Sequence, residues 1–231
     1  MPINFCILFN EMYFIIINKE EVYHWFFHYE DGLNVLKEEF NDDPNQPCST
    51  GGFYFTDAAN ILMFLENGFY LREITLPTNN PDFKMIKLCD QWRANMIILG
   101  KRWELSNVDT FKYLIEEKGA NVHVGRNNVI LRWVASGGHV DILKYLVEKN
   151  AYVNADYDLA LGLSAQNGHL SVVEFLVESG ANVHYENNYA LHLSAKYGHS
   201  DIVKFLIKSG ANIHADNDYA FRCSAKNGEL I

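Results

Sequence analysis

The sequence predicts a chain in two parts, a small α+β domain over residues 1–90 followed by a mainly α repeat array, and three observations carry that reading. From Gly119 onward the chain repeats itself, with His139, His169 and His199 marking units 30 residues apart. Each unit sets a glycine between two short apolar stretches of helical spacing. Before residue 90 no period is found, and short runs of β-branched and aromatic residues alternate with turn-forming stretches.

Composition narrows the function classes. A chain of 231 residues, 48% hydrophobic and 14% aromatic, has the apolar mass for a buried core. Its formal charge is -10 and no local basic cluster offsets it, so neither nucleic acid nor a membrane surface is an expected partner. The four cysteines, Cys6, Cys48, Cys89 and Cys223, form no Cys-x-x-Cys pair, which points to reduced thiols in an intracellular protein. The run "INFCILFNEMYFIII" is broken by Asn10 and Glu11, with no basic residue before it and no cleavage site after it. One or two buried strands are expected there, not a signal peptide.

In chain order, "YFIII", "GFYFT" and "YLREITLP" read as strands, and "NDDPNQPCSTGG" and "PTNNPD" as turns. In "DAANILMFLENG", Ala59, Leu62, Met63 and Leu65 line one helical face and Gly68 closes it. "QWRANMIILGKRWEL" predicts a degenerate first helix from about Trp92 to Gly100. "NVDTFKYLIEEKGANV" then predicts a second helix with Val108, Phe111, Leu114 and Ile115 inward, so residues 91–118 read as an N-terminal capping repeat.

Full repeats follow at 119–149, 150–179 and 180–209, and a partial one at 210–231. In each, a first helix ends at Gly138, Gly168, Gly198 or Gly228 in the left-handed conformation, and Asp141, Ser171 or Asp201 supplies an acceptor to the next helix. In "DIVKFLIKS" the residues Ile202, Val203, Leu206 and Ile207 form one stripe. Gly180, Gly210 and Asn150 end the second helices. Helices this short need stacking on neighbours, since about 12 to 15 residues are required to stand alone.

The order Gly-Ala-Asn-Val-His, turn, Ala-Leu-His-Leu-Ser-Ala, Gly-His, Asp-Ile-Val-Lys-Phe-Leu resembles the ankyrin repeat over about half the chain. The resemblance implies an α-solenoid of three full repeats, a degenerate N-terminal one and a truncated C-terminal one, behind the small α+β domain. Tyr189-Ala190 and Tyr219-Ala220 stand where the family has Thr-Pro, and the finger is about three residues shorter than in the family's repeat of about 33, so a bare turn replaces the family's β-hairpin. Shortened, Asn-rich repeats of this kind resemble those of giant DNA viruses of amoebae, of the mimivirus type. "DGLN", "GGFYFTD", "FLENGFYLREITLP" and "DFKMIK" resemble the region preceding ankyrin arrays in some such proteins, where the chain would begin near Met12.

What the resemblance implies for function is a non-enzymatic module binding a protein partner on its concave face, in an infected host's cytoplasm. The finger tips are then Arg126, Asn127 and Asn128; Asp156, Tyr157 and Asp158; Glu186, Asn187 and Asn188; and Asp216, Asn217 and Asp218. Trp133, Leu163, Leu193 and Cys223 hold equivalent positions on the first helices, as do Ser136, Gln166, Lys196 and Lys226. The later tips are acidic, which favours a partner with a basic surface.

Other chemistry is weaker. His24 and His28 share the i, i+4 spacing of two metal ligands on a helix but lack a third, and satisfied or exposed histidines are the better reading. Gly51-Gly52 lacks the longer glycine pattern and the lysine of a phosphate loop and reads as a turn; Cys48 has no histidine partner. Asp57, Arg72, Glu73 and Asp90 would form a site only if they converged. The histidines His123, His184 and His214, and His139, His169 and His199, recur because their structural roles recur. No catalytic residue, metal ligand or cofactor is expected. Competing readings are an adaptor recruiting a host complex through the N-terminal domain, an enzyme within 1–90, and a redundant copy of an expanded gene set. The last unit stops after a finger and a first helix. The sequence alone predicts a repeat cut short, forfeiting about 3 to 6 kcal/mol of burial on helix 201–208, so that this end frays, dimerises or derives from a longer array.

Overall fold

Five apolar residues in a row, Tyr13 to Ile17, require cover on both faces of whatever element they form. In a computed structural model of the chain, which describes residues 12–23, 27–46, 50–124, 129–149 and 157–228, they form strand β1 (Tyr13–Ile17), buried throughout. The further strands are β2 (Val22–Tyr23), β3 (Phe27–His28), β4 (Gly32–Val35), β5 (Phe53–Asp57), β6 (Tyr70–Thr75), β7 (Met85–Lys87), β8 (Trp92–Ala94) and β9 (Met96–Glu104). Seven of them make one sheet in the order β4-β9-β6-β1-β5-β8-β7, antiparallel at every junction, while β2 and β3 pair with each other. This sheet belongs to the unit Met1–Val124; the second unit is Gly125–Ile231.

Alternation along β1 assigns its side chains to two cores. Tyr13, Ile15 and Ile17 join Phe53, Phe55, Ile74, Ile97 and Leu99, and Tyr29 and Phe27 pack against them. Edge-on ring contacts fill this layer, at 5.3 Å between Tyr13 and Phe55 and 5.0 Å between Phe27 and Phe53. Phe14 and Ile16 face the other way, against a tight 3-10 turn over Ile61–Asn67 with Ile61, Leu62 and Leu65 buried. The expected helix in "DAANILMFLENG" is thus this shorter turn, and Ile61 rather than exposed Ala59 completes its inner face.

Gly68 closes that turn through space rather than through a left-handed angle. Its backbone is extended (φ 178) and passes so close to β1 that a Cβ would lie 2.0 Å from the Ile17 carbonyl oxygen. Gly68→Ala is therefore expected to destabilise this unit by about 3 kcal/mol, read as a lowered urea midpoint in tryptophan fluorescence.

The helix expected over Trp92–Gly100 is not formed: these residues are β8 and the first half of β9. Ile97 and Leu99 point into the first core, and β9 is gripped on both sides by β4 and β6. Those partners lie far back in the sequence, so no local spacing reveals them, and pairing overrides the helical reading of "NMIILG". The expected following helix does form, as α1 (Val108–Lys112), with a wider turn over Tyr113–Glu117. Phe111 and Leu114 are fully buried, Val108 and Ile115 half-buried. The Asn107 side chain caps it by accepting from the Asp109 amide at 2.9 Å. This helix belongs to the sheet's unit.

In the second unit, helices come in pairs: α2 (Val129–Gly137) with α3 (Val140–Glu148), α4 (Tyr157–Asn167) with α5 (Leu170–Glu178), and α6 (Tyr185–Tyr197) with α7 (Ser200–Lys208); α8 (Ala215–Asn227) follows. The first helices pack on one another in the order α2, α4, α6, α8. As expected from the apolar stripe, Ile202, Val203 and Leu206 of α7 are buried, and so are Ile142, Leu143 and Leu146 of α3 and Val172, Val173 and Leu176 of α5. Gly138, Gly168, Gly198 and Gly228 end the first helices at φ between 74 and 81. The expected side-chain caps are absent: His139, His169 and His199 occupy the cap positions without a capping bond, and Asp141, Ser171 and Asp201 already lie inside the first turn. There the aspartates face the positive end of the helix dipole instead. Asn150, Glu229, Leu230 and Ile231 lie outside the described residues, as do Cys6 and Cys48.

Candidate protein-binding surface

The shortened finger takes the form of one left-handed turn, which breaks α6 and α8 near their starts. Glu186, Asn187 and Asn188 have φ of 42, 56 and 66, and Asp216, Asn217 and Asp218 have φ of 49, 54 and 61. Three such residues in succession are unfavourable for side chains with a Cβ, at about 1 to 2 kcal/mol each, though Asn and Asp relieve part of this by local bonds. The relief is visible. Asn188 is 5% exposed, its Oδ1 accepts from the Asn212 amide at 2.8 Å in the next repeat, and it lies 3.2 Å from His184 Nδ1. Asp158 repeats the first bond with the Asn182 amide at 2.7 Å, and Asp218 repeats the histidine contact with His214 at 2.6 Å. Glu186 has no such local bond to offer at its left-handed angle, so Glu186→Gly is expected to raise stability by about 1 kcal/mol, measured as a shift in thermal unfolding.

The repeat histidines tie each turn to its predecessor. His169 Nε2 lies 2.9 Å from the Ser136 carbonyl oxygen and His199 Nε2 lies 2.8 Å from that of Gln166, both at the end of the preceding first helix. With a carbonyl as acceptor, Nε2 carries the proton. Asn167 adds a bond to the Ser136 carbonyl at 3.0 Å, and Asn227 to that of Ala195 at 2.9 Å. Their role thus extends beyond fixing a single inter-helix turn. The aromatic column repeats the principle: Tyr189 lies over Gly162, and the Tyr219 ring lies 5.0 Å from His192.

Burial holds two of these imidazoles below the ordinary histidine value of 6.5. For His139 the neighbouring His169 adds to the effect; for His192 the Asp216 carboxylate and the Ala215 backbone oppose it. A histidine kept neutral when folded binds fewer protons than in the unfolded chain, so its contribution is complete above that value and is lost as pH falls below it. Thermal unfolding at about pH 5.5 is expected below that at about pH 7.5, with a smaller difference in His192→Asn.

Of the predicted surface residues, Glu186, Asn187, Asp216 and Lys196 are exposed, and Asp158 is half-buried with its carboxylate engaged as above. Asn188 is not available to a partner, because it is buried as the acceptor between repeats. The column Trp133, Leu163, Leu193 and Cys223 is less open than the sequence implied: Leu193 is buried and the others half-buried, with Trp133 stacked on His139 at 4.9 Å. Arg126, Asn127, Asn128 and Asp156, and the side chain of Tyr157, lie outside the described residues. The sequence reading passed over Tyr197, half exposed beneath the Lys196 ammonium at 5.3 Å. Its neighbours at the equivalent positions are Asn167 and Asn227, so an aromatic among amides was the available signal.

The candidates in the first unit do not converge. Arg72 and Glu73 are adjacent in β6 and point to opposite faces. Glu73 Oε1 accepts from Trp103 Nε1 at 3.0 Å and from the Tyr113 hydroxyl at 2.6 Å, and burial, with the bond to Glu73, pushes the Tyr113 phenol upward. Asp57 accepts from the Asn60 amide at the start of the 3-10 turn, and the Asp90 carbonyl accepts from the Thr56 hydroxyl at 2.7 Å. Gly51 forms the expected turn, at φ 92. His28 is exposed in strand β3, so no helix presents it, and His24 lies outside the described residues. Among the described residues no three His, Cys, Asp or Glu side chains group as metal ligands, and no helix is long and apolar enough to cross a membrane.

Paired helices closed by glycine, joined through a short finger and tied by a Gly-His turn, define a class of helical repeat. The family model for ankyrin repeats, in three copies, matches residues 101–187 and again 131–217. The ankyrin repeat protein R868 of Acanthamoeba polyphaga mimivirus is 43% identical over 141 residues, 60% of this chain and 68% of that one. Protein R869 of the same virus is 44% identical over 138 residues, 59% of this chain and 98% of its own length. A longer relative, the ankyrin repeat protein R896, is 38% identical over 141 residues, which is 60% of this chain and 42% of that protein. The chain belongs to the ankyrin-repeat family, and its relatives are of the giant-virus type that its shortened, Asn-rich repeats resembled.

Proposed function

We propose that the chain is a non-enzymatic interaction module whose ankyrin repeats stack as a solenoid and present finger tips and first helices to one protein partner on the concave face. The observation that carries this reading is the pairing of exposed left-handed tips with adaptable side chains beside them. Glu186, Asn187, Asp216, Asn217 and Asp218 are exposed on left-handed turns, and Lys196 and Tyr197 stand exposed at the end of the adjoining first helix. An exposed tyrosine supplies contact area at low entropic cost. The acidity of the tips favours a basic partner surface, and a host protein in the cytoplasm of the infected cell fits that description.

The test uses the full chain as bait in extracts of infected amoebae, followed by titration of the purified partner. Charge reversal at Glu186 and Asp216 to Lys is expected to slow association by about ten-fold at low salt. Raising the salt should shrink the difference between the two proteins. A partner whose association is unchanged by both substitutions and by Tyr197→Ala would place binding elsewhere.

A further inference from the structure

The first unit holds a charged cluster that the repeats do not need. Arg72 projects from β6 into the face of the sheet where Tyr29 and Leu99 lie, and its side chain is only 4% exposed. Its Nη1 donates to Glu21 Oε2 at 3.4 Å and its Nη2 to the Asp31 carboxylate. Directly opposite on β9, Arg102 donates through Nη1 to Glu21 Oε1 at 2.9 Å. Glu21, 18% exposed, thus bridges two guanidinium groups that would otherwise repel. Asp31 is the odd member. Its side chain is 89% exposed, on the bend before β4, yet it is paired with the most buried charge in the cluster.

Arg72 is incompletely satisfied by these partners. Its Nε is buried and donates to nothing among the described residues. A buried donor left unmade is unfavourable, and a guanidinium offers Nε and Nη side by side to two oxygens of one group. These residues line an open cleft of about 740 Å³ with Gly100 and Lys101, room for an oxyanion and a small body attached to it.

We propose that Arg72 and Arg102 form a binding site for an oxyanion, a carboxylate or phosphate group, which Asp31 occupies from within the chain until a ligand displaces it. Glu21 holds the two guanidinium groups at a fixed spacing, and the incoming group takes Arg72 Nη2 from Asp31 and adds the bond to Nε. The bond to Arg72 keeps the Asp31 carboxyl below its ordinary range, so it competes as an anion at neutral pH. Lys101, beside Arg102 on β9, turns its ammonium to the other face of the sheet, over the Trp103 ring at 3.4 Å, so the cleft's positive charge comes from the two arginines.

The test is calorimetric titration of the full chain with inorganic phosphate and with acetate, at constant ionic strength and with chloride as control. Asp31→Ala and Asp31→Asn are expected to bind one or both probes about ten-fold more tightly than the original chain, because the competing internal group is gone. Adding Arg102→Met should abolish the gain, and its exposed side chain makes that substitution mild for folding. Tighter phosphate than acetate assigns a tetrahedral anion, and the reverse a carboxylate; either supports the site. No gain in both Asp31 variants, or a gain that survives Arg102→Met, overturns it.

Discussion

Arg93→Met is expected to destabilise the first unit by about 3 to 5 kcal/mol, the largest loss for any side chain outside its apolar core. Arg93 is fully buried, and its guanidinium gathers a loop onto the sheet. Nη1 donates to the Gln46 carbonyl at 2.9 Å and to the Tyr54 hydroxyl at 3.0 Å; Nη2 donates to the Asp43 carbonyl at 2.7 Å and to Asn41 Oδ1 at 3.4 Å. Methionine would fill the stem's volume but leave those acceptors unpaired away from water. Gly52 shows how closely the site is packed, since a Cβ there would lie 2.3 Å from Arg93 Cγ. Urea unfolding monitored by tryptophan fluorescence gives the magnitude, and faster proteolysis around Asn41 to Gln46 gives its location. A loss under about 1 kcal/mol would mean that water replaces the guanidinium, and that the loop is held by other contacts.

Gly168→Ala is expected to destabilise the repeats by about 3 kcal/mol, the sum of a left-handed angle and an overpacked contact. The residue sits at φ 81, and a Cβ would meet the His199 ring at 2.7 Å. That ring cannot retreat without giving up its 2.8 Å bond to the Gln166 carbonyl, so two repeats are disturbed at once. Gly180→Ala is the control: φ is 99, but the space a Cβ would enter is open. Its loss should be confined to the backbone, about 1 to 2 kcal/mol. The difference in unfolding free energy, followed by helical circular dichroism, isolates the contact between turns. Equal losses would show that the histidine ring adapts freely.

The repeats were legible in the sequence because their determinants are local and recur. A glycine at 168, 198 or 228 and a stripe at 202, 203 and 206 say the same thing in each copy, and each copy checks the others. The sheet was legible only where a strand announces itself, as "YFIII" does. Trp92–Gly100 was misread because β9 owes its form to β4 and β6, neither of which is near it in the chain. The candidate surface was half legible. Position alone named Glu186, Lys196 and Asp216 as exposed, but not that Asn188 turns inward to accept from Asn212, nor that Trp133 lies against His139. Arg93 and the Arg72 cluster stood among ordinary strand residues, and only the long-range contacts of the fold give them a role.

The left-handed tips restrict the alphabet in which the surface can be written. At the exposed positions 187, 216, 217 and 218 the chain uses only Asn and Asp, the side chains that tolerate such angles best after glycine, with Glu186 the exception. Exchanging one for the other changes charge and barely changes shape. In the proposed binding mode each exposed Asn or Asp of the tips would therefore set one of two charge values on a similar contour, and would tune how strongly a basic surface is attracted without telling one such surface from another. Discrimination by shape must then be spelled by the positions free of that restriction, at 196 and 197 and their counterparts on the neighbouring helices.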